Sequence, residues 1–201
     1  QDPGNRAVDF RGQKRSNATH RSLTDPDCRF VSKGSSGTGA HPGYTVNALM
    51  ENRHRFLLGL GVEVFRSSAS ETEGSVKLLD RAHRRLRYEP KTFGADKGFF
   101  STGLIRTLLD RRIAPHIAAD PRGRQPEHSR VRMRVRGVGY ALSQRARKKI
   151  EELFGEAKDW HGLRRFRRRG LDRVRQETLL IGWVLNLKRL ARALESRTEP
   201  A

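Results

Sequence analysis

Apolar residues follow no period through the first 43 positions, a polar stretch that closes on the breaker-rich run KGSSGTGAHPG. Irregular chain is expected there, with at most a short strand near residues 7–10. The pattern sharpens at residue 44. Val46, Ala48 and Met50 recur at every second position, and after the polar stretch 51–55 comes LLGLGVEVF, apolar and rich in strand formers. This spacing predicts strands over 44–50 and 56–66, joined as a hairpin. Val76, Leu78, Leu79 and Ala82 then give one side of a helix that runs to about residue 85, capped by Ser70 or Thr72. A short strand over 91–95 ends at Asp96. Ser101 or Thr102 caps a second helix, in which Leu104, Ile105, Leu108 and Leu109 fall at helical spacing, and residues 113–119 read as a further strand. The order strand, strand, helix, strand, helix, strand, helix is an α/β pattern with helices covering a mixed sheet.

The next segment, residues 120–144, differs in kind. Arg130, Arg132, Arg134 and Arg136 alternate with Val131, Met133 and Val135. The alternation fits a strand or extended arm with a row of arginines on one face; a solvated, disordered basic loop fits it equally. From Ser143 to about Trp160 the chain reads as helix, with Ile150, Leu153, Phe154 and Ala157 as one apolar stripe. A basic connector, LRRFRRRG at 163–170, leads to a last helix over about 172–195. Leu180, Val184, Leu187, Ala191 and Leu194 form its expected packing face, widened by Trp183 and Ile181.

Charge changes the picture. Among 201 residues, 42 Lys and Arg stand against 22 Asp and Glu, a formal charge of +20. A field of that size attracts nucleic acid at a distance and adds phosphate contacts up close. Length allows one domain with a small appendage, and an apolar content of 35% leaves part of the chain open or dependent on a partner. A single cysteine, Cys28, forms no intrachain disulfide and suits a reducing compartment. No signal peptide is visible, and the longest apolar run, LLIGWVLNL at 179–187, is far short of the ~20 residues of a membrane span. A cytoplasmic, nucleoid-associated protein with no membrane contact is the expectation. The chain starts at Gln1, consistent with a cut or incomplete N-terminus.

Two acids stand out against this basic background. Asp96, in KTFGADKGF, ends a strand between Gly94 and Gly98, where α/β folds gather ligands; a turn or helix cap would use the same residue. Glu151 shares a helix face with Arg147 and Lys158, all within about 40° at 100° per residue. Gly155, one turn beyond Glu151, leaves room for another backbone to approach. The plainer reading of Arg147 and Glu151 is an exposed i, i+4 pair worth only ~0.3–0.5 kcal/mol.

Together these motifs resemble the DDE transposases of bacterial insertion sequences. GADKG at 94–98 is similar to the segment that carries the family's second catalytic aspartate, and Arg147, Glu151 and Lys158 match the signature around its catalytic glutamate. SQRARKKIEELFG at 143–155, GLRRFRRRG at 162–170, FRGQKRSNATHRSLTDPD at 10–27 and NALMENRH at 47–54 extend the likeness over nearly the whole chain. The resemblance implies a ribonuclease-H-like core over 44–160, preceded by the polar segment 1–43 and followed by the connector and helix of 161–201. It implies Asp96 and Glu151 as catalytic residues that bind Mg²⁺, with Mn²⁺ as the alternative, at a two-metal phosphoryl-transfer site. It further implies DNA contacts from Arg147 and Lys158, joined by Arg145, Lys148, Arg164, Arg165 and Arg168. The implied partners are duplex DNA, as element ends and target, and further copies of the chain assembled on it.

Some features depart from the family pattern. The family's first aspartate sits on the first core strand, before a small residue and a hydroxyl. Here Asp9 precedes Phe10, Asp25 precedes Pro26 and Asp27 precedes Cys28, so Asp9 and Asp25 are poor stand-ins. The first strand, central in such a sheet, is expected to be missing with its aspartate. The strands at 44–50 and 91–95 would then expose unpaired edges, and the chain by itself is expected to be marginally stable or aggregation-prone. Gln144 stands where relatives often carry Tyr, and a helical region for recognising element ends is absent. Two functions follow: a catalytic segment of a transposase, or a non-catalytic remnant that binds DNA through its arginines. A ribosomal-type RNA-binding protein is a third.

Overall fold

The computed structural model describes residues 16–31, 40–66, 69–122 and 124–198. The expected strand near 7–10, and Asp9 with it, lie outside them. A first pair of short antiparallel strands, β1 (Arg29–Val31) and β2 (His41–Gly43), corrects the reading of residues 1–43 as irregular. Neither strand alternates in polarity, so their pairing left no period-two signal.

The hairpin follows as expected. β3 (Thr45–Met50) and β4 (Leu57–Glu63) are antiparallel, with Val46 opposite Val62 and Ala48 opposite Leu60, and a bulge where Met50 meets Leu57. Glu51 holds the turn, its carboxylate accepting from the backbone N–H groups of Arg53, His54 and Phe56 at 2.6–3.1 Å. Both faces of the hairpin are covered, which explains the near-continuous apolar run in β4. Helix α1 (Ala69–Leu86) lies on the face of Thr45 and Asn47. It lies so close that a Cβ on Gly74 would stand 2.2 Å from Asn47 Nδ2. The helix begins before Ser70 and Thr72, so neither is its cap; Ser70 Oγ instead accepts from the Arg66 N–H at 3.0 Å.

Strand β5 (Thr92–Ala95) pairs in parallel with β6 (Ala114–Ile117), Phe93 opposite Pro115. The crossover runs through a 3-10 turn at Lys97–Phe99 and helix α2 (Thr102–Asp110), capped by Ser101, whose Oγ accepts from the Leu104 N–H. Phe93, Ala95, Ile105, Leu108 and Ile117 form a core here with Leu79 of α1. The arginine-rich segment is not a strand, an extended arm or a loop. It is helix α3 (Pro126–Val135), followed after a short break by α4 (Val138–Trp160), which starts five residues before Ser143. Val131 is fully buried and Val135 packs beside it, one turn apart, whereas Met133 is 68% exposed. The residues bury at i, i+4, and the apparent alternation was coincidental.

The last helix, α5 (Leu171–Thr198), packs on β4 with a face different from the one expected. Val174, Thr178, Ile181 and Leu185 are buried, while Leu180 and Trp183 are 59% and 67% exposed. Polar groups selected this face. Asn186 accepts from the Leu57 N–H at 2.8 Å and donates to its carbonyl at 2.9 Å, and Arg175 Nε donates to the Val62 carbonyl. Glu156 of α4 ties the two helices together through Lys188 and Arg189. At its start, α5 is capped from 145 residues away: Asp25 Oδ1 accepts from the Gly170 N–H and Asp27 Oδ2 from the Leu171 N–H. Carboxylates suit a helix N-terminus. Asp25 also accepts from the Tyr44 hydroxyl at 2.7 Å, and burial with that carboxylate pushes the Tyr44 phenol well above its ordinary range.

The expected single mixed sheet is, among the described residues, three two-stranded pairs. β3 pairs only with β4 and β5 only with β6, so each keeps one open edge. The helices α1, α4 and α5 hold the pieces in place.

Candidate active site

Between those open edges lies a cleft of about 2280 Å³. β3 lines it from Thr45 to Met50, β5 from Thr92 to Ala95, and α4 with the face that carries Arg147, Glu151 and Lys158. Asp96 stands at its rim, directly after β5.

Asp96 is held by its own turn. Its backbone is extended, and Oδ1 accepts from the Gly98 N–H at 2.8 Å, capping the 3-10 turn. The capping role weighed from the sequence is therefore real, and it uses one oxygen; the other accepts no hydrogen bond among the described residues. Glu151 is likewise half committed. Its Oε1 accepts from Arg147 NH1 at 2.6 Å, and its side chain is 61% exposed. Lys158 stacks its ammonium 5.8 Å from the centre of the Phe154 ring. A Cβ on Gly155 would meet nothing within 4 Å, so this position faces open space in the cleft rather than another backbone.

Gln144 joins the two halves, a role the sequence did not reveal. Its Nε2 donates to the carbonyls of Ala95 at 3.2 Å, the last residue of β5, and His116 at 2.7 Å, the last but one of β6. Its Oε1 accepts from Arg147 Nε at 2.9 Å. A relay therefore runs from the residue before Asp96 through Gln144 and Arg147 to Glu151. Helix α4 lies directly against β5 here: a Cβ on Gly94 would stand 3.5 Å from the Ser143 carbonyl, an ordinary contact. Removing the amide in Gln144→Ala takes a donor from two strand carbonyls; Ala95 keeps the Ala118 N–H, and His116 loses the Gln144 amide. A loss of about 1–3 kcal/mol is expected, read as a lower urea midpoint at unchanged slope.

His116 packs under the same helix, with Nδ1 2.6 Å from Ser143 Oγ and the ring edge-on to Tyr140. Burial, with Arg134 nearby, lowers its pKa from the usual 6.5. The unfolded chain therefore takes up this proton first as pH falls. Stability is full above about 6.5 and declines below it, until the folded imidazole also protonates. The melting temperature is expected to drop between pH 7.5 and 5, and His116→Gln to flatten that slope.

The oxygen donors at hand fit a hard divalent cation in part. Asp96 and Glu151 line one cleft and each keeps an oxygen clear of protein donors, and a magnesium site often uses only one or two carboxylates plus substrate phosphate. A group of three or more acidic, His or Cys side chains able to hold a metal does not occur among the described residues. Asp25 lines the cleft too, but its Oδ1 is spent on Tyr44 and Gly170.

Residues 8–187 match the family model of the transposase DDE domain. The chain belongs to that family. No curated protein and no solved structure matches it. In this DDE transposase the seven basic residues singled out from the sequence divide into two sets. Arg147, Lys158, Arg164, Arg165 and Arg168 line the cleft; Arg145 and Lys148 are exposed on α4 and do not. At 100° per residue those two lie about 160° and 100° from Arg147. Arg167 and Arg169 line the cleft and were missed, although they sit in the connector whose other arginines were picked. Among the described residues no helix is long and apolar enough to cross a membrane.

Proposed function

We propose that this chain is the phosphoryl-transfer segment of a transposase, cutting and joining duplex DNA at the ends of a mobile element on a ribonuclease-H-like core. One observation carries the reading. Asp96 and Glu151, which match the family's acidic signature, line a single cleft walled by five arginines of the connector and by Arg147 of α4. A divalent cation bound there, Mg²⁺ or Mn²⁺, would supply charge neutralisation at the phosphoryl oxygens.

The chain's own groups do the rest. Arg147, oriented by Gln144, presents a planar guanidinium that fits a phosphate in two-point contact once it releases Glu151. Lys158 adds a point charge on the same face. The open space at Gly155 lets a sugar-phosphate backbone lie against α4. The connector arginines hold the flanking duplex, and further copies of the chain assemble on it.

A second reading, a remnant that binds DNA without cutting it, draws support from the lack, among the described residues, of a group of three or more acidic, His or Cys side chains able to hold a metal. Supercoiled plasmid titrated with Mg²⁺ or Mn²⁺ separates the two. Nicking that depends on the metal and disappears in Asp96→Asn supports the transposase segment. Salt-sensitive binding with no nicking at any metal concentration leaves the remnant.

A further inference from the structure

The connector between α4 and α5 carries five arginines, Arg164, Arg165, Arg167, Arg168 and Arg169, and all of them line the cleft. So many like charges in a short run repel one another and favour a spread, disordered chain. Here the backbone is tied down instead. Gly162 and Gly170 bound the connector in the left-handed region, at φ 78° and 81°, where a side chain would be strained. At its start the N–H groups of Leu163 and Arg165 donate to the carbonyls of Ala157 and Gly162. Phe166 packs against the core shared by α4 and α5 and meets Tyr44 edge-on. At its end stand the Asp25 and Asp27 caps.

The stretch between is held by Glu177 of α5. Its Oε1 accepts from the Arg167 N–H at 3.1 Å, and its Oε2 from the N–H groups of Arg167 at 3.2 Å and Arg168 at 3.1 Å. An acid among arginines ordinarily pairs with a guanidinium, as Asp159 does with Arg164 at 2.7 Å. Glu177 spends both oxygens on backbone instead and forms no ion pair among the described residues. The guanidiniums of Arg165, Arg167 and Arg169 meet no carboxylate there either, and Arg168 reaches only the Gln176 amide oxygen, at 3.4 Å. Glu177 does not itself line the cleft. The carboxylate therefore orders the chain that bears the arginines without neutralising them.

We infer that Glu177 is a positioning residue for DNA binding: its carboxylate fixes the connector in the form that presents its arginines to duplex phosphate. This rests on the DNA reading proposed above. A loop ordered in advance loses less freedom when its ligand arrives, so the gain comes from preorganisation rather than from a contact. Charge alone argues the other way. Glu177 is an anion close to where a polyanion would lie, and its removal by electrostatics alone would tighten binding. The two effects differ in sign, and a single substitution distinguishes them.

Fluorescence anisotropy with a short labelled duplex compares three forms of the full chain. Glu177→Ala is expected to bind at least about 10-fold more weakly, although the variant is more cationic. Its log–log salt slope should hold, because the same arginines still reach phosphate. Glu177→Gln loses the same charge but keeps an acceptor oxygen, and should recover most of the affinity. Amide hydrogen exchange without DNA reads the backbone directly. The Arg167 and Arg168 amides should exchange at least about 10-fold faster in Glu177→Ala while those of α2 stay protected, which separates a released connector from an unfolded chain. Unchanged or tighter binding by Glu177→Ala overturns the positioning role, and so does equal weakening by Glu177→Gln. No salt-sensitive binding by the unaltered chain would instead remove the DNA reading and this role with it.

Discussion

Glu151→Gln is expected to abolish metal-dependent nicking, a loss of at least ~10³-fold, or about 4 kcal/mol of transition-state stabilisation. The amide keeps the size and one oxygen of the carboxylate but loses the charge that a hard cation requires. Direct Mn²⁺ binding, followed by electron paramagnetic resonance, should weaken by at least ~10²-fold, since even changes outside the ligand shell cost 10–100-fold. Folding should not suffer. Among the described residues Glu151 pairs with Arg147 alone, in an exposed i, i+4 pair worth ~0.3–0.5 kcal/mol. Thermal melts of the variant and the unaltered chain should therefore coincide. Nicking at the full rate by Glu151→Gln would remove this residue from the chemistry, and equal loss of stability would make its role structural.

The second large effect is on DNA binding. Arg147, Lys158 and the connector arginines Arg164, Arg165, Arg167, Arg168 and Arg169 put seven cations on one cleft. If each meets a phosphate, affinity for a duplex should fall roughly 10³- to 10⁴-fold between 50 and 200 mM salt, because counterion release scales with the phosphates neutralised. Converting Arg165, Arg167 and Arg169 to Gln should lower the log–log salt slope by about three. Arg145 and Lys148, exposed on another side of α4, should change the slope by less when both are converted. Fluorescence anisotropy across a salt series measures all three. Equal slopes for the two variants would mean that the whole cationic surface, not the cleft, holds the DNA.

The parts of this molecule that were legible from the sequence are those where one face is buried and the pattern is local. The hairpin and α2 contain their own signal, period two or i, i+4, and β5 and β6 are short apolar runs bounded by breakers and helices. Asp96 and Glu151 stand out as candidates for another reason: they sit in local motifs similar to those of the family to which the chain belongs. α3 was misread because Val131 and Val135 satisfy both periods, and only contact with β6 and α2 distinguishes them. On α5 the packing face was misjudged because the helix is apolar on two sides. A sequence reports how many apolar stripes a helix has, and a neighbouring surface decides which one is used.

Sequence alone therefore determined the net charge of +20, the order of most elements and the local motifs that hold Asp96 and Glu151. These are properties of composition and of short segments, and no distant contact is needed to set them. Tertiary structure decided what lies far apart in the chain: the Asp25 and Asp27 caps on α5, the Gln144 relay across β5 and β6, and the cleft between β3 and β5. Each depends on backbone groups brought together over 28 to 145 residues. Backbone carbonyls and N–H groups are the same in every residue, so the sequence does not mark which of them a side chain will meet.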